Sequence, residues 1–245
     1  MKKILDSILK FNHLVKKNRF KVEEANDINF DANSKSQDTR SIIALAAIEE
    51  FAMRSVDGAR TRQIAKKANV NHAAISYYFG GKWEMYLEII RTMTRHFSKL
   101  FAPVYAECGA FLASEKKSRA RAVELVKKFL TTSHQFYLSD ITAKIDMILK
   151  REENFPSEAF DIVFEEGIRF HLQTLKNLVA FLLPGASESE VSTAAIALIG
   201  MNNSVSSCKT AFLKLNSKHR LTPKDIEIFT RIIERAVDKL FAKQI

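Results

Sequence analysis

Residues 61–82 read TRQIAKKANVNHAAISYYFGGK, and the order of residue types in this run decides the fold. Two short helices that cross at a steep angle need particular residues at the crossing. Ile64 and Ala68 fall on the core side of the first helix, Ala65 is small where the second helix passes closest, and Val70 plugs the turn. Asn69 stands where the turn requires a left-handed backbone, which Asn tolerates better than most non-glycine residues. Thr61 is a natural cap for the first helix and Asn71 for the second, and Ile75 and Tyr78 anchor the second to the core. Singly these are ordinary helical-core features. Their conjunction predicts a helix-turn-helix.

Outward from this run, the upstream stretch TRSIIALAAIEEFAMRSVDG (39–58) reads as a helix. Thr39 would cap it, Ile43, Ala47 and Phe51 repeat at four-residue steps, and Asp57-Gly58 would stop it with Gly58 left-handed. Downstream, Gly80-Gly81 breaks the chain, and a helix is expected from about Lys82 to Phe101, ending near Pro103. Further helices are expected near 104–113, 118–138, 140–152, 157–183, 188–215 and 223–243, punctuated by Ser139, Pro156-Ser157, Pro184-Gly185 and Thr222-Pro223. A sheet protein needs turn residues every 8–12 positions or so, and 245 residues with 7 Gly and 4 Pro do not supply them. The fold class expected is all-α: a three-helix helix-turn-helix head on a larger helical body. Residues 1–37 read as a basic extension and polar linker, 38–91 as the head, and 92–245 as the body. Within 1–22 there are seven Lys/Arg against one Asp, with Ile4, Ile8, Phe11 and Val15 on one helical face.

The run 61–82 resembles the TetR/AcrR family pattern, in which T-x-x-x-I-A-x-x-A-G-V-S leads into an aromatic Y-x-Y-F-x-x-K end. Residues 39–58 are similar to that family's first helix, and REENFPSEAFDIVFEEGI (151–168) and SYYFGGK resemble its CecR-type branch. Asn69 replaces the usual Gly, Asn71 the usual Ser, and Ser76 the usual Tyr, so one habitual phosphate-contacting aromatic is absent. The resemblance implies a DNA-binding transcriptional regulator: a ligand-responsive repressor that binds a palindromic operator in double-stranded DNA as a homodimer. Groove geometry then assigns roles. The second helix of the motif enters the major groove and its N-terminal residues, Asn71, His72, Ala73 and Ala74, reach base edges, Asn suiting adenine and Ala a thymine methyl. Tyr77, Tyr78 and Lys82 would approach phosphates, with Thr61 and Arg62 contacting the backbone from the first helix. His72 reads equally as a plain surface residue and Tyr78 equally as core, whereas Phe79 reads as structural.

For the body the resemblance implies dimerisation and an effector. Ala194, Ala197, Gly200 and Ser204 form a small-residue strip, and Ile226, Phe229, Ile233, Val237 and Leu240 a stripe at three- and four-residue spacing. Both suit a dimer interface or packing within one chain. A small organic effector, apolar or weakly amphipathic, is expected among the helices of 104–183, with Arg151, Glu165 and His171 as its polar contacts.

Composition bounds the rest. A formal charge of +10 fits a polyanionic partner or general solubility. Cys108 and Cys208 lack CxxC spacing and the histidines lack metal-ligand spacing, so a reducing, cytoplasmic setting without cofactor or metal is expected. The apolar stretches fall short of the roughly 18–20 residues of a membrane span, and Asp6 and Lys10 argue against a signal peptide. Gly81-Lys82 hints at a phosphate loop, but Ser76 sits where its first Gly belongs, and catalysis is not expected. A membrane-surface protein would leave 61–82 unexplained. The alternative that survives is a DNA-binding protein without a small-molecule effector, architectural or partner-regulated.

Overall fold

The computed structural model describes residues 35–242, which fold as α1 (Lys35–Gly58), α2 (Thr61–Lys67), α3 (Ala73–Phe79), α4 (Lys82–Ala113), α5 (Arg119–Thr131), a 3-10 turn (His134–Leu138), α6 (Asp140–Asn154), α7 (Glu158–Val163), a π turn (Phe164–Ile168), α8 (Arg169–Leu182), α9 (Glu188–Ser207), α10 (Lys209–Leu215) and α11 (Pro223–Leu240). No strand occurs among the described residues. The basic stretch of 1–22 and most of the polar linker lie outside them.

Two apolar cores are stacked along α4. Ile43, Ile48 and Phe51 of α1, Ile64 of α2, Ile75 of α3 and Met85 and Ile90 of α4 form the first, together with Ile148 of α6 and Val163 of α7. The head therefore shares its core with the body. Phe101, Tyr105 and Phe111 in the second half of α4 form the other core with Leu125 and Phe129 of α5, Leu175 and Leu178 of α8, Leu198 of α9 and Ile233 and Val237 of α11. Fully burying one such side chain contributes roughly 1.5–3 kcal/mol, so the two cores decide the architecture.

Packing overrides several local signals. Thr39 does not mark the start of α1, which already begins at Lys35. The left-handed residue near its end is Ser55 (φ 61°, ψ 171°) and not Gly58. The Ser55 hydroxyl accepts a weak bond from Gly58 N–H at 3.5 Å, so the helix kinks a turn earlier than the glycine suggests. Pro103 ends nothing either: α4 runs through it to Ala113. A helix-interior Pro costs about 3 kcal/mol, offset here by the burial of Phe101, Val104, Tyr105 and Cys108 on both sides of it. The expected helix 118–138 stops at Thr131, and 188–215 breaks at Cys208 into α9 and α10. Other punctuation behaves as read. Gly80 (φ 82°) and Gly185 (φ 90°) are left-handed, and Thr222 closes a capping box with Asp225 ahead of Pro223.

Between α7 and α8 the chain widens into one π turn, and Gly167 in it is buried. A Cβ added there would lie 2.8 Å from the Thr94 methyl, so α4 and the π turn approach as closely as they do because this residue has no side chain. Gly167→Ala is expected to lower stability by about 1–3 kcal/mol in urea unfolding. Thr94→Ser, which deletes the opposing methyl, should recover most of that loss in the double variant; strictly additive losses would show that the close approach is not the cause.

Candidate nucleic-acid interface

The turn between α2 and α3 is built as its residues require. Asn69 sits at φ 53°, Val70 N–H donates to the Ala65 carbonyl at 3.0 Å, and Ala65, Ala68 and Ile75 are buried. Asn71 accepts the Ala73 N–H on its side-chain oxygen at 2.9 Å, which starts α3. Thr61 caps nothing: α2 has Arg60 before it without a side-chain cap, and the Thr61 hydroxyl bonds His72 Nε2 at 2.8 Å instead. That bond joins the first turns of the two helices across the motif.

This geometry sorts the expected contact residues. Arg62, Asn71, His72, Ala73 and Tyr77 are exposed, Thr61, Ala74, Tyr78 and Lys82 are partly buried, and Phe79 is buried. Tyr77, 83% exposed, is the outermost aromatic residue of α3 and packs edge-on against Tyr78 at 5.0 Å. Tyr78 packs against the core as well as bordering the surface, so both of its readings describe part of it. The Asn71 oxygen is already bonded, so a bidentate pairing with adenine has to share that atom; its amide protons can be offered to a base without cost to the turn. Lys82 Nζ donates to the carbonyls of Asp57 at 3.1 Å and Ala59 at 3.3 Å. Its ammonium has three protons, so it ties the end of α1 to the start of α4 and keeps one proton for a phosphate.

The head is fastened to the body through α1 and α6. Arg151 donates to the carbonyls of Phe51 at 2.7 Å and Ala52 at 3.1 Å, in the turn just before the Ser55 kink. Next to it, the buried Glu152 accepts from the Tyr86 hydroxyl at 2.5 Å and the Ser157 hydroxyl at 2.7 Å. Burial, with Glu152 beside it, pushes the Tyr86 hydroxyl well above the usual tyrosine range. Glu49 of α1 pairs with Lys144 of α6 and lies 3.8 Å from Lys67 of α2, and the Lys144 hydrogen bond holds its carboxyl below the usual range.

Behind this junction lies a cavity of about 1190 Å³. Its walls include Leu45 and Ile48 of α1, Thr94 and Phe97 of α4, Phe129 of α5 and His171 of α8. Of the three polar contacts expected for an effector, His171 alone lines it. Arg151 is turned to the head carbonyls, and Glu165 is exposed and paired with Arg169. A short sequence window cannot tell a cavity-facing helix side from one that faces another helix. Thr94 was not anticipated at all, yet its hydroxyl is buried without a hydrogen-bond partner among the described residues. No group of three or more His, Cys, Asp or Glu that could hold a metal occurs among the described residues.

On α9 and α11, Ile196, Ile228 and Ile232 are exposed and a Cβ at Gly200 would meet open space, and Ile196 and Gly200 also border the cavity. The α11 stripe read from the sequence is mostly internal: Ile226, Ile233 and Val237 are buried within the chain, whereas Leu240 is exposed. The surface that these two helices leave exposed includes Ile228 and Ile232 of α11 and Ala197 and Gly200 of α9.

His171 stacks among aromatic rings, 4.3 Å from Phe129, 4.7 Å from Phe101 and 5.1 Å from Phe97 by centroids, with Nδ1 3.0 Å from the Tyr105 hydroxyl. Desolvation pushes its pKa down to about 3. The folded chain thus holds this imidazole neutral while the unfolded chain protonates it near pH 6.5. Its share of stability is intact above that pH and falls by about 1.4 kcal/mol per unit as the pH drops toward 3. His171→Leu should remove one proton's worth of that slope in urea unfolding at about pH 5 and about pH 7. An unchanged slope would mean that the ring is solvated.

Residues 43–89 match the family described as bacterial regulatory proteins, tetR family, and residues 122–242 match the C-terminal domain of the HTH-type transcriptional dual regulator CecR. CecR of Shigella flexneri is 29% identical over 158 residues, 64% of this chain and 69% of that protein. The HTH-type transcriptional regulator YdgC of Bacillus subtilis (strain 168) is 28% identical over 168 residues, 69% of this chain and 79% of that protein. Among solved structures, a linker-substituted mutant of HlyIIR superposes with a TM-score of 0.57 at 20% identity, covering 85% of this chain and all of that one. A TerR/AcrR-family regulator of Aquifex aeolicus VF5 superposes with a TM-score of 0.52 at 17% identity, covering 82% and 99%. These structures share the fold. Among the described residues no helix is long and apolar enough to cross a membrane.

Proposed function

The chain belongs to the tetR family of bacterial regulatory proteins and is a DNA-binding transcriptional regulator; from that premise we propose that it is a ligand-released repressor that grips an inverted-repeat operator as a homodimer in the cytoplasm. The observation that carries this reading is that one helix serves both ends of the mechanism. α1 packs on the helix-turn-helix through Ile43, Ile48 and Phe51 and also walls the cavity through Leu45 and Ile48. A molecule entering the cavity presses on the element that sets the position of the head.

On this reading α3 lies in the major groove. Asn71, His72, Ala73 and Ala74 face base edges, while Thr61, Arg62, Tyr77, Tyr78 and Lys82 hold phosphates. The effector is a mainly apolar small molecule that stacks near His171 and Phe97 and offers a polar atom to the buried Thr94 hydroxyl. Two copies associate through Ile196, Ala197 and Gly200 of α9 and Ile228 and Ile232 of α11. Release follows from differential affinity: a ligand that fits better when the two heads are spread lowers operator affinity by that difference, typically 1–3 kcal/mol.

Selection of binding sites from random duplex DNA tests the reading. Inverted repeats with half-sites about one turn, or 34–36 Å, apart are expected. Uniform coating without a preferred sequence would favour the architectural alternative and overturn the operator assignment. Tyr77→Ala should weaken binding to every duplex by about tenfold or more, the scale of a lost bond to a charged group, with thermal unfolding unchanged. Ile232→Arg should turn the dimer into a monomer by light scattering and abolish tight operator binding. A dimer that persisted would place the interface elsewhere.

A further inference from the structure

Residues 209–224, KTAFLKLNSKHRLTPK, carry five Lys/Arg and His219 with no carboxylate, and the helix-turn-helix makes no use of them. Their place in the fold is at the head end of the body. α4 starts in the head and ends at Ala113, and at that distal end Arg119 bonds the carbonyls of Leu182 and Phe241 while Lys176 pairs with Glu188. α9 therefore begins far from the head and runs back toward it. At its near end, Ser206 accepts a bond from Lys150 of α6 at 3.2 Å. The 3-10 turn before α6 packs Tyr137 against Phe212, Leu213 and Phe229, and His134 in that turn bonds Asn202 and Thr230. One turn further along α6, Lys144 shares Glu49 with Lys67, two residues before Asn69 of the recognition turn. A short line of contacts thus joins 209–224 to the DNA-reading motif.

Within the segment the charges divide into those that the fold uses and those that it leaves over. Lys218 pairs with the buried Asp225, the residue that also closes the α11 capping box, and lies over the Phe212 ring. Ser217 (φ 51°) sharpens the turn after α10, with Lys218 N–H bonded to the Leu213 carbonyl at 2.8 Å. Lys214, Arg220 and Lys224 are exposed and take part in no ion pair among the described residues. The exposed large apolar residue of the segment is Leu215, so its solvent-facing surface is mainly polar and cationic.

We propose that Lys214, Arg220 and Lys224 form a second DNA-contact surface, which binds the phosphates at the centre of the operator. This rests on the operator-bound dimer proposed above. The segment joins α9 to α11, the two helices whose exposed Ile196, Ile228 and Ile232 would meet the partner copy, so the two copies of the segment flank the two-fold axis on the DNA side. When recognition helices occupy successive major grooves, the duplex between them turns a minor groove and its bordering phosphates toward that axis. Six cations from two protomers then face a concentrated negative potential within about a Debye length of 10 Å at 0.1 M salt. The contact adds affinity and operator centring without reading bases.

The test uses a duplex recovered by selection with the full chain, and a mixed-sequence duplex of equal length. The triple variant Lys214→Gln, Arg220→Gln, Lys224→Gln should bind the selected duplex about tenfold or more weaker. Its plot of log affinity against log salt should be shallower by about two units or more, since each neutralised phosphate contributes roughly 0.9. The same base sequence should still be preferred. Replacing the central phosphates by uncharged methylphosphonates should weaken the wild-type protein and leave the triple variant nearly unaffected. Unfolding and light scattering are measured alongside, and the single variants Arg220→Gln and Lys224→Gln carry the test if the triple variant is unstable. Affinity and salt slope equal to wild type, or a methylphosphonate penalty of the same size in both proteins, overturns the proposal. Charge-dependent binding to phosphatidylglycerol vesicles with DNA binding unchanged overturns it in favour of a membrane surface. If the wild-type protein selects no duplex, the operator-binding dimer has failed, a result distinguishable from failure of the central contact.

Discussion

The seating of α1 against α6 is the contact on which the rest of the molecule depends. Phe51 is fully buried there and meets the Tyr86 ring edge-on at 5.0 Å, and Arg151 donates to the two carbonyls just before the Ser55 kink. Truncating a buried Phe typically costs 3–5 kcal/mol, and a hydrogen bond to a charged group contributes about 1.5–3. The ion pairs around Glu49 are partly exposed and weigh little, about 0–1 kcal/mol each. Apolar burial and the Arg151 fork therefore hold the head, and the ion pairs align it. The core of the head, from α1 to the first half of α4, is closed by Ile148 of α6 and by Ala159 and Val163 of α7. By merging that core with α6 and α7, the chain makes the angle of the head a property of the body.

That arrangement gives the cavity its leverage. Its walls include α1, the middle of α4, α6, the start of α8 and one side of α9, so it adjoins both sides of the head–body seam. The seam is close-packed, with Gly167 against the Thr94 methyl and Glu152 bonded to both Tyr86 and Ser157. Close-packed seams do not deform smoothly; they move between discrete packings. On the proposed reading a ligand would act by its unequal fit to two arrangements of α1, and tight binding that is equal in both would move nothing. The neutral His171 suits such a site, since an uncharged ring among aromatic residues favours apolar occupants over charged ones.

Charge is arranged to match. The head offers exposed Arg62, the aromatic Tyr77 and the half-committed Lys82, while 209–224 gathers leftover cations at the same end of the body. At the distal end several cations are used in structure, Arg119 on two carbonyls and Arg121 and Lys128 on Glu107, whereas Lys116 and Lys117 are exposed there. A net charge of +10 would be uninformative if spread evenly. The part of it that bears on the proposed DNA contacts is the exposed set of Arg62, Lys214, Arg220 and Lys224.

The all-helical class, the helix-turn-helix at 61–82 and most chain breaks are legible in the residues alone. All three rest on local physics: the backbone preferences of Asn69, Gly80 and Gly185, the capping of α11 by Thr222, and the spacing of apolar residues along each helix. Tertiary structure alone decided what each face meets. Pro103 looks like a terminus until Phe101 and Tyr105 are seen holding both sides of it in one core. Arg151 and Glu165 look like equivalent polar groups until one is found on head carbonyls and the other paired in solvent. The α11 stripe looked ready for a partner, yet Ile226, Ile233 and Val237 are covered by their own chain, and Ile228 and Ile232 remain outside. Helical spacing states that a face is apolar, but which surface covers that face depends on helices distant in sequence, and no local window contains them.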